Sequence, residues 1–215
     1  MFKAYLFDAY GTLFDVHSVT EKLEEVYPEK GHDVSQEWRK RQVHYFMIRQ
    51  LIDSYQPFDQ ITRHSLIDAL EFNQAEYDTG RLEELMEAYR HLKPFEEVKR
   101  LTTNLPDHRL TIFSNGTNDM LLPLLKNNQL DQTFSILSAD EPKIYKPDPK
   151  AYAFAHRQLE IADPKEILFL SSNPWDIAGA KNYGFSTAWV NRSQQKWPSL
   201  GIQPDFIYQD LNELP

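Results

Sequence analysis

Four places in the sequence put polar side chains at or shortly after the end of a short apolar run. Asp8 follows the first run, and the later places hold Ser114-Asn115, Lys146 and the segment from Ser171 to Asp176. Because sites in open α/β sheets form at the carboxyl ends of the strands, we expect these side chains to lie together. A carboxylate surrounded by hydroxyls, amides and a lysine is suited to nucleophilic catalysis with electrostatic support. The pattern therefore predicts a catalytic site with Asp8 as its nucleophile.

Each of these features also has an ordinary structural explanation. An aspartate after a strand is most often a turn former or a helix cap, and Ser114-Asn115-Gly116 is a plain turn sequence. Lys146 before a proline is typical of a solvated surface residue, and Asp176 could cap the helix that follows it. The coincidence of all four features at strand ends is what favours a site over four unrelated turns.

The elements that must position these residues alternate between strand and helix. Residues 2–7 form an apolar run that predicts a buried strand, and Gly11 follows it as a breaker. Downstream, the pattern predicts strands over 109–113, 134–138, 166–170, 186–190 and 205–208. It predicts helices over 95–104, 117–127, 149–159 and 176–183. This alternation indicates an α/β fold with a doubly wound, mainly parallel sheet and helices on both faces.

The segment between residues 15 and 93 has no strand-like runs and reads as helical. Ser35 is a candidate N-cap for a long helix that reaches Tyr55, and further helices are predicted over 59–72 and 80–92. Pro94 closes the block. We therefore expect a helical cap domain of residues 15–93, inserted after the first strand of a core domain formed by residues 1–14 and 94–215.

The composition excludes several classes of function. The 215-residue chain has a formal net charge of −9 and no basic block, so it is a poor candidate for binding nucleic acid or an anionic membrane. It has no cysteine, which excludes disulfides, thiolate zinc sites and cysteine nucleophiles. The N-terminal apolar run is too short for a signal peptide, and no stretch reaches the roughly 18 apolar residues of a membrane span. We expect a cytoplasmic protein.

The motifs resemble those of a known superfamily. The segment Phe7-Asp8-Ala9-Tyr10-Gly11-Thr12-Leu13-Phe14-Asp15 is similar to the first motif of the haloacid dehalogenase superfamily. Ser114-Asn115-Gly116, Lys146-Pro147-Asp148 and the segment from Ser171 to Asp176 resemble the second, third and fourth motifs, in the same order along the chain. The predicted helical insertion between the first two motifs resembles the cap of that superfamily, whose core has a Rossmann-like sheet.

A closer resemblance is to the L-2-haloacid dehalogenases. It is carried by the opening from Tyr10 to Val19, the cap segment at Trp38-Arg39 and the closing strand from Trp189 to Arg192. It implies a hydrolase that converts L-2-haloalkanoic acids to D-2-hydroxy acids through an aspartyl ester, without a metal or other cofactor. The partners it implies are a small 2-haloacid and a halide. Relatives of this kind are often dimers, so a homodimer is one assembly that the resemblance suggests.

Position by position, the resemblance implies roles for residues of this chain. Asp8 is the expected nucleophile, and Arg39 and Asn115 are expected to receive the departing halide. Support of the nucleophile and of the hydrolytic water is expected from Thr12, Lys146, Tyr152, Ser171, Asn173 and Asp176. Contacts with the rest of the substrate are expected from Ala9, Tyr10, Phe58, Ser114, Tyr152 and Trp175.

Tyr10 separates the dehalogenase interpretation from its nearest alternative. Phosphatases of the superfamily carry a second aspartate two positions after the nucleophile, which protonates the leaving alcohol, and this position is Tyr10 here. A halide needs no proton to leave, only stabilisation as an anion, which a guanidinium and an amide provide. Three alternatives remain: a magnesium-dependent phosphatase acting on a small phosphate ester, a relative that attacks another carbon electrophile, and a non-catalytic binding protein with the same fold.

Overall fold

The computed structural model describes residues 2–105 and 109–214. Its strands are β1 (Ala4–Phe7), β2 (Phe14–Asp15), β3 (Lys93–Pro94), β4 (Arg109–Ser114), β5 (Ser135–Ser138), β6 (Ile167–Ser171), β7 (Ser186–Val190) and β8 (Phe206–Tyr208). Its α-helices are α1 (Ser18–Val26), α2 (Gly31–Leu51), α3 (Phe58–Phe72), α4 (Thr79–Ala88), α5 (Leu101–Asn104), α6 (Asn118–Asn127), α7 (Pro149–Leu159) and α8 (Pro174–Tyr183). Short 3₁₀-helices cover 89–91, 96–100, 164–166 and 211–213.

Six strands form one parallel sheet in the order β5-β4-β1-β6-β7-β8. The strand β1 lies in its middle, where Phe7 is opposite Ile112 of β4 and Leu170 of β6. Every residue of β1 and β6 is buried, which is why both strands read as unbroken apolar runs. The architecture confirms the predicted α/β fold with a parallel sheet.

Helices cover both faces of the sheet, because successive side chains of a strand point to opposite faces. Tyr5 and Phe7 of β1 belong to one apolar cluster, which includes α6 and the helices of segment 15–93. Ala4 and Leu6 belong to a second cluster, which α7 and α8 complete on the other face. The sheet is therefore doubly wound, as the alternation of elements predicts.

The chain crosses twice between the sheet and the helical segment, and the two crossings form an antiparallel ribbon. Phe14 of β2 is opposite Pro94 of β3, and Asp15 is opposite Lys93. Strands of two residues are too short for periodicity to reveal, so the sequence pattern does not predict them. The expected limits of the cap, at residues 15 and 93, fall within this ribbon, and the division into two domains stays a prediction.

The helical segment contains α1 to α4, and α2 packs against both α1 and α3. The helices predicted over 59–72 and 80–92 correspond to α3 and to α4 with the 3₁₀-helix that follows it. The sequence pattern does not distinguish α1 as a separate helix. Within the described residues, no helix is both long and apolar enough to span a lipid bilayer.

The predicted N-cap at Ser35 is wrong. The helix α2 begins at Gly31, so Ser35 lies inside it, where its hydroxyl accepts a hydrogen bond from Thr20 at 2.8 Å. The carboxylate of Glu24, on α1, accepts a hydrogen bond from the backbone N–H of His32 at 2.6 Å. A side chain from the neighbouring helix thus satisfies a first-turn N–H that a local cap would otherwise bind.

Three other helix boundaries differ from those predicted. The helix α2 ends at Leu51 and does not reach Tyr55, because Asp53 has a φ of 52°, with which a right-handed helix cannot continue. The helix α8 begins at Pro174 rather than at residue 176, because the fixed φ of a proline suits the first turn of a helix. The helix predicted over 95–104 is divided into a 3₁₀-helix over 96–100 and the short α5. The other predicted helices and strands of the sheet layer agree with the structure to within about two residues, the usual uncertainty of helix ends.

Arg192 connects both crossings of the chain to the sheet. Its guanidinium donates to the backbone carbonyls of Gly11 at 3.2 Å and Thr12 at 2.9 Å, just before β2. It also pairs with the carboxylate of Glu97, just after β3, at 2.7 Å. The guanidinium carbon lies 3.7 Å from the centroid of the Phe95 ring. A single side chain thus holds the two linkers together.

We expect Arg192→Ala to lower the free energy of unfolding by about 1–3 kcal/mol, because the buried Glu97 carboxylate and two carbonyls lose their donor. Urea denaturation measures this change. Arg90→Ala is the matched control: the Arg90–Glu87 pair is about half exposed, and such pairs contribute about 0–1 kcal/mol. Equal losses in the two variants would contradict the role given to Arg192.

Candidate active site

Three adjacent strands end at one edge of the sheet, and each delivers a polar residue there. Asp8 directly follows β1, Ser114 is the last residue of β4, and Ser171 is the last residue of β6. The backbone N–H of Asp8 donates to the carbonyl of Leu170 at 2.9 Å, so parallel pairing continues up to this aspartate. The order β4-β1-β6 therefore brings together residues that are far apart in the sequence.

Lys146 reaches this edge from the loop before α7, and its side chain is completely buried. Its ammonium donates to Asp8 Oδ1 at 3.0 Å, to Asp176 Oδ2 at 2.7 Å and to the carbonyl of Phe113 at 2.9 Å. An ammonium has three N–H donors, and all three have acceptors here. These partners satisfy the requirement that a charge removed from water be paired and hydrogen-bonded.

The buried position of the ammonium beside Asp176 changes the pKa values of Lys146 and Asp176. Burial lowers the pKa of Lys146, but attraction to Asp176 and Asp8 outweighs it, so the pKa lies above its ordinary value. Burial raises the pKa of Asp176 to about 6, while Lys146 opposes this rise and Asp8 adds to it. The lysine is therefore charged at neutral pH and favours an ionised carboxylate beside it.

The second oxygen of Asp8 binds two further donors. Asp8 Oδ2 accepts hydrogen bonds from the Thr12 hydroxyl and from the Asn173 side-chain amide, both at 3.0 Å. The Thr12 hydroxyl also accepts a hydrogen bond from the backbone N–H of Ser172 at 2.9 Å, which ties the turn after β1 to the turn after β6. With Lys146 on Oδ1, both oxygens of Asp8 are held in one orientation.

Asp176 lies behind Lys146 and has its own set of donors. Its Oδ1 accepts from the Tyr152 hydroxyl at 2.7 Å, and its Oδ2 accepts from the Ser171 hydroxyl at 3.2 Å. Asp8 and Asp176 thus share the ammonium between them. Within residues 2–105 and 109–214, no three histidine or carboxylate side chains are grouped so as to hold a metal ion.

Asn115 ties the end of β4 to the lysine loop. Its side-chain oxygen accepts from the backbone N–H of Lys146 at 2.9 Å, and its amide donates to the Lys146 carbonyl at 3.3 Å. The neighbouring Ser114 is completely buried, and its hydroxyl accepts from the backbone N–H of Gly116 at 3.1 Å. Both side chains still reach the cavity described below.

Arg39 approaches the sheet edge from the other side, on α2. Its guanidinium donates to the side-chain oxygen of Gln42 at 2.8 Å and to that of Asn173 at 3.4 Å. Gln42 is completely buried and donates in turn to the Thr62 hydroxyl at 2.7 Å. The ion pairs of the described residues include none for Arg39, so its positive charge has neutral partners in these contacts.

A cavity of about 10 Å³ lies between α2 and the sheet edge. Its polar wall consists of Asp8, Arg39, Ser114, Asn115, Lys146 and Asn173. Its apolar wall consists of Tyr10, Phe46, Phe58 and Trp175. The volume is enough for about one water molecule. The cavity therefore joins a carboxylate and a guanidinium in a small space with aromatic rings on one side.

Several residues for which we expected a role in the site lie behind the cavity wall. Thr12 binds Asp8, Asp176 binds Lys146 and Ser171 binds Asp176, and none of the three lines the cavity. Tyr152 is completely buried against Asp176 and does not line this cavity, and its expected contact with the substrate stays a prediction. Ala9 is also buried. Its carbonyl accepts hydrogen bonds from the backbone N–H groups of Thr12, Leu13 and Phe14 in the turn after β1.

Our sequence reasoning missed two residues of the site, Gln42 and Phe46. Trp38, Gln42 and Phe46 follow one another at intervals of four along α2, and all three are buried. This spacing puts them on one face of the helix. A glutamine within such an apolar stripe is the signal that could have identified a buried polar partner for Arg39, one helical turn away.

Known proteins similar to this chain are found for nearly its whole length. A family model described as haloacid dehalogenase-like hydrolase matches residues 2–184. Haloacetate dehalogenase H-2 from Moraxella sp. (strain B) is 38% identical over 207 residues, which cover 95% of this chain and 92% of that protein. An (S)-2-haloacid dehalogenase from Xanthobacter autotrophicus is 40% identical over 197 residues, which cover 91% of this chain and 78% of that protein.

A solved structure shows the same similarity in three dimensions. The L-2-haloacid dehalogenase from Xanthobacter autotrophicus with chloropropionic acid covalently bound superposes with a TM-score of 0.91 and 34% sequence identity. The superposition covers 98% of this chain and 95% of that chain, so it includes the sheet and the helical segment. By its sequence and by its fold, the chain belongs to the haloacid dehalogenase-like hydrolase family.

Proposed function

We propose that this protein hydrolyses L-2-haloalkanoic acids to D-2-hydroxy acids through an ester on Asp8, without a metal ion. One observation carries the proposal: Asp8 lines the same small cavity as Arg39, a cation whose described partners are neutral. A nucleophile and such a cation suit a reaction that expels an anion. Relatives named haloacetate dehalogenase and (S)-2-haloacid dehalogenase support the same assignment.

In the first step, a carboxylate oxygen of Asp8 attacks the carbon that bears the halogen. A C–O bond forms, the C–halogen bond breaks, and the halide leaves with the bonding electron pair. Attack opposite the halogen inverts the carbon, so an L-acid gives a D-product. The donors on both oxygens of Asp8 hold the carboxylate in one orientation, which reduces the entropy lost on reaching the transition state.

Charge moves from Asp8 to the halide in this step, and the site has donors for both ends of the substrate. Arg39 and the Asn115 amide line the cavity and stabilise the halide as it forms. Ser114, with backbone amides near Ala9 and Tyr10, binds the substrate carboxylate. Because Arg39 is held by neutral partners, its charge remains available to the leaving anion.

In the second step, water attacks the carbonyl carbon of the Asp8 ester. The bond between that carbon and the substrate oxygen breaks, the hydroxy acid leaves, and Asp8 regains a carboxylate with one oxygen from water. Of the two protons of this water, one goes to the departing alkoxide oxygen and the other is released. Lys146 binds one oxygen of Asp8 and Asn173 binds the other, so whichever oxygen becomes the ester carbonyl keeps a donor that stabilises the negative charge developing on it.

Tyr10 supports this function over hydrolysis of a phosphate ester. Its ring is stacked on Phe58 with 6.0 Å between the ring centroids, and burial raises the pKa of its hydroxyl. A buried phenol with a raised pKa is a poor proton donor to a leaving alcohol at neutral pH. A departing halide needs no proton, so a tyrosine at this position is compatible with dehalogenation.

Chloride release from L-2-chloropropionate in the presence of a chelator tests the proposal. We expect chloride and D-lactate in equal amounts, because each turnover forms one of each. The chelator should not slow the release, because every charged group in the proposed steps is supplied by the protein. The D-enantiomer of the substrate is the control and should release no chloride. Absence of chloride from any 2-haloacid, with magnesium-dependent release of phosphate from a small ester, would support the phosphatase alternative instead.

Arg39→Ala tests the assignment of the halide site. We expect the rate of chloride release to fall by about 10²–10³-fold, the usual effect of removing one donor to a developing anion. Arg49→Ala is the matched control, because Arg49 lies on the same helix but donates to Ser54 and does not line the cavity. A near-normal rate for Arg39→Ala, in a variant with an unchanged circular dichroism spectrum, would place the halide elsewhere.

A further inference from the structure

Phe46 forms the part of the apolar cavity wall that comes from α2. It lies two helical turns after Arg39, so both side chains are on the face of α2 that meets the sheet edge. Phe46 is buried, and its ring centroid lies 5.3 Å from that of Trp175 and 6.1 Å from that of Phe58. All three of these rings line the cavity.

The apolar wall is supported from behind. Tyr145 is completely buried, its ring centroid lies 5.4 Å from that of Phe46, and its hydroxyl donates to the carbonyl of Gln56. The ring of Tyr55 is stacked on that of Tyr145, with 5.0 Å between the ring centroids. A ring packed between buried neighbours cannot move aside without disturbing them, because protein interiors have little free volume. The rings of this wall therefore move little to make room for a larger substrate.

The two walls of the cavity divide a 2-haloacid into a polar and an apolar part. Its carboxylate and its halogen need the donors of the polar wall, which includes Arg39, Ser114 and Asn115. Its alkyl substituent must then point to the rings. An alkyl substituent on this side of the cavity contacts the rings of Phe46, Phe58 and Trp175, so a longer substituent crowds them more.

We propose that Phe46 is a specificity-determining residue that disfavours 2-haloacids as their alkyl substituent becomes longer. This inference rests on the proposed dehalogenase function and adds to it the residue that sets the discrimination by chain length. Phe46 lines the cavity directly, so a smaller residue at this position enlarges the cavity itself and does not create a separate void. Truncation should therefore admit longer chains.

The experiment compares kcat/KM for chloride release from chloroacetate, L-2-chloropropionate, L-2-chlorobutanoate and L-2-chlorohexanoate. For the unaltered protein we expect a drop of at least about tenfold for each methylene beyond the propionate, as hydrophobic pockets discriminate by roughly 10–200-fold per methylene. Phe46→Ala and the milder Phe46→Leu should raise the ratio of the butanoate value to the chloroacetate value by at least about tenfold and about threefold, respectively.

Phe72→Ala is the matched control, because Phe72 is an exposed ring on α3 that does not line the cavity. Its substrate ratios should equal those of the unaltered protein. Equal values for chloroacetate and L-2-chlorohexanoate in the unaltered protein would overturn the inference, even if no variant folds. Unchanged ratios in folded Phe46→Leu would also overturn it. Absence of chloride from all four acids would instead contradict the dehalogenase function on which the inference rests.

Discussion

The Lys146 ammonium lies in the interior of the protein between the carboxylates of Asp8 and Asp176, and the architecture of the site follows from what that position requires. A buried charge is stable only when opposite charges and hydrogen-bond acceptors surround it. Its acceptors come from the ends of β1 and β4 and from the first turn of α8. The parallel sheet places β4, β1 and β6 side by side and so brings these acceptors to one point.

In the proposed reaction, the helical segment supplies a positive charge that complements the negative charge of Asp8. The helix α2 places Arg39 across the cavity from Asp8, and the buried Gln42 holds the guanidinium without neutralising it. In the proposed first step, Asp8 loses negative charge as it attacks, while the leaving group gains it. On that proposal, fixed charges that line the small cavity stabilise the transfer more effectively than mobile water, because they do not have to reorient. The sheet and α2 therefore contribute complementary halves of one site.

The sequence predicts the sheet well because buried parallel strands are unbroken apolar runs, and it predicts the cluster at Asp8 because polar residues follow those runs. It does not predict Gln42 or Phe46 as site residues. The face of α2 that meets the sheet depends on packing between segments: Gln42 is buried, while Leu51 and Ile52 are exposed. Tertiary contacts also explain why Ser35 is not the N-cap of α2. Glu24 from another helix accepts a hydrogen bond from the first turn of α2, which begins four residues before Ser35. The ribbon of β2 and β3 is too short to leave a periodic pattern.

Transfer of oxygen from Asp8 to the product is the central claim, and one turnover in ¹⁸O-water measures it directly. With the protein in excess over L-2-chloropropionate, the proposed mechanism predicts that water adds to the ester carbonyl of Asp8 and not to the substrate carbon. Mass spectrometry should therefore find ¹⁸O in the peptide that contains Asp8, and lactate that carries only ¹⁶O in its hydroxyl group. Labelled lactate together with unlabelled Asp8 after a single turnover would show direct attack by water and contradict the ester mechanism.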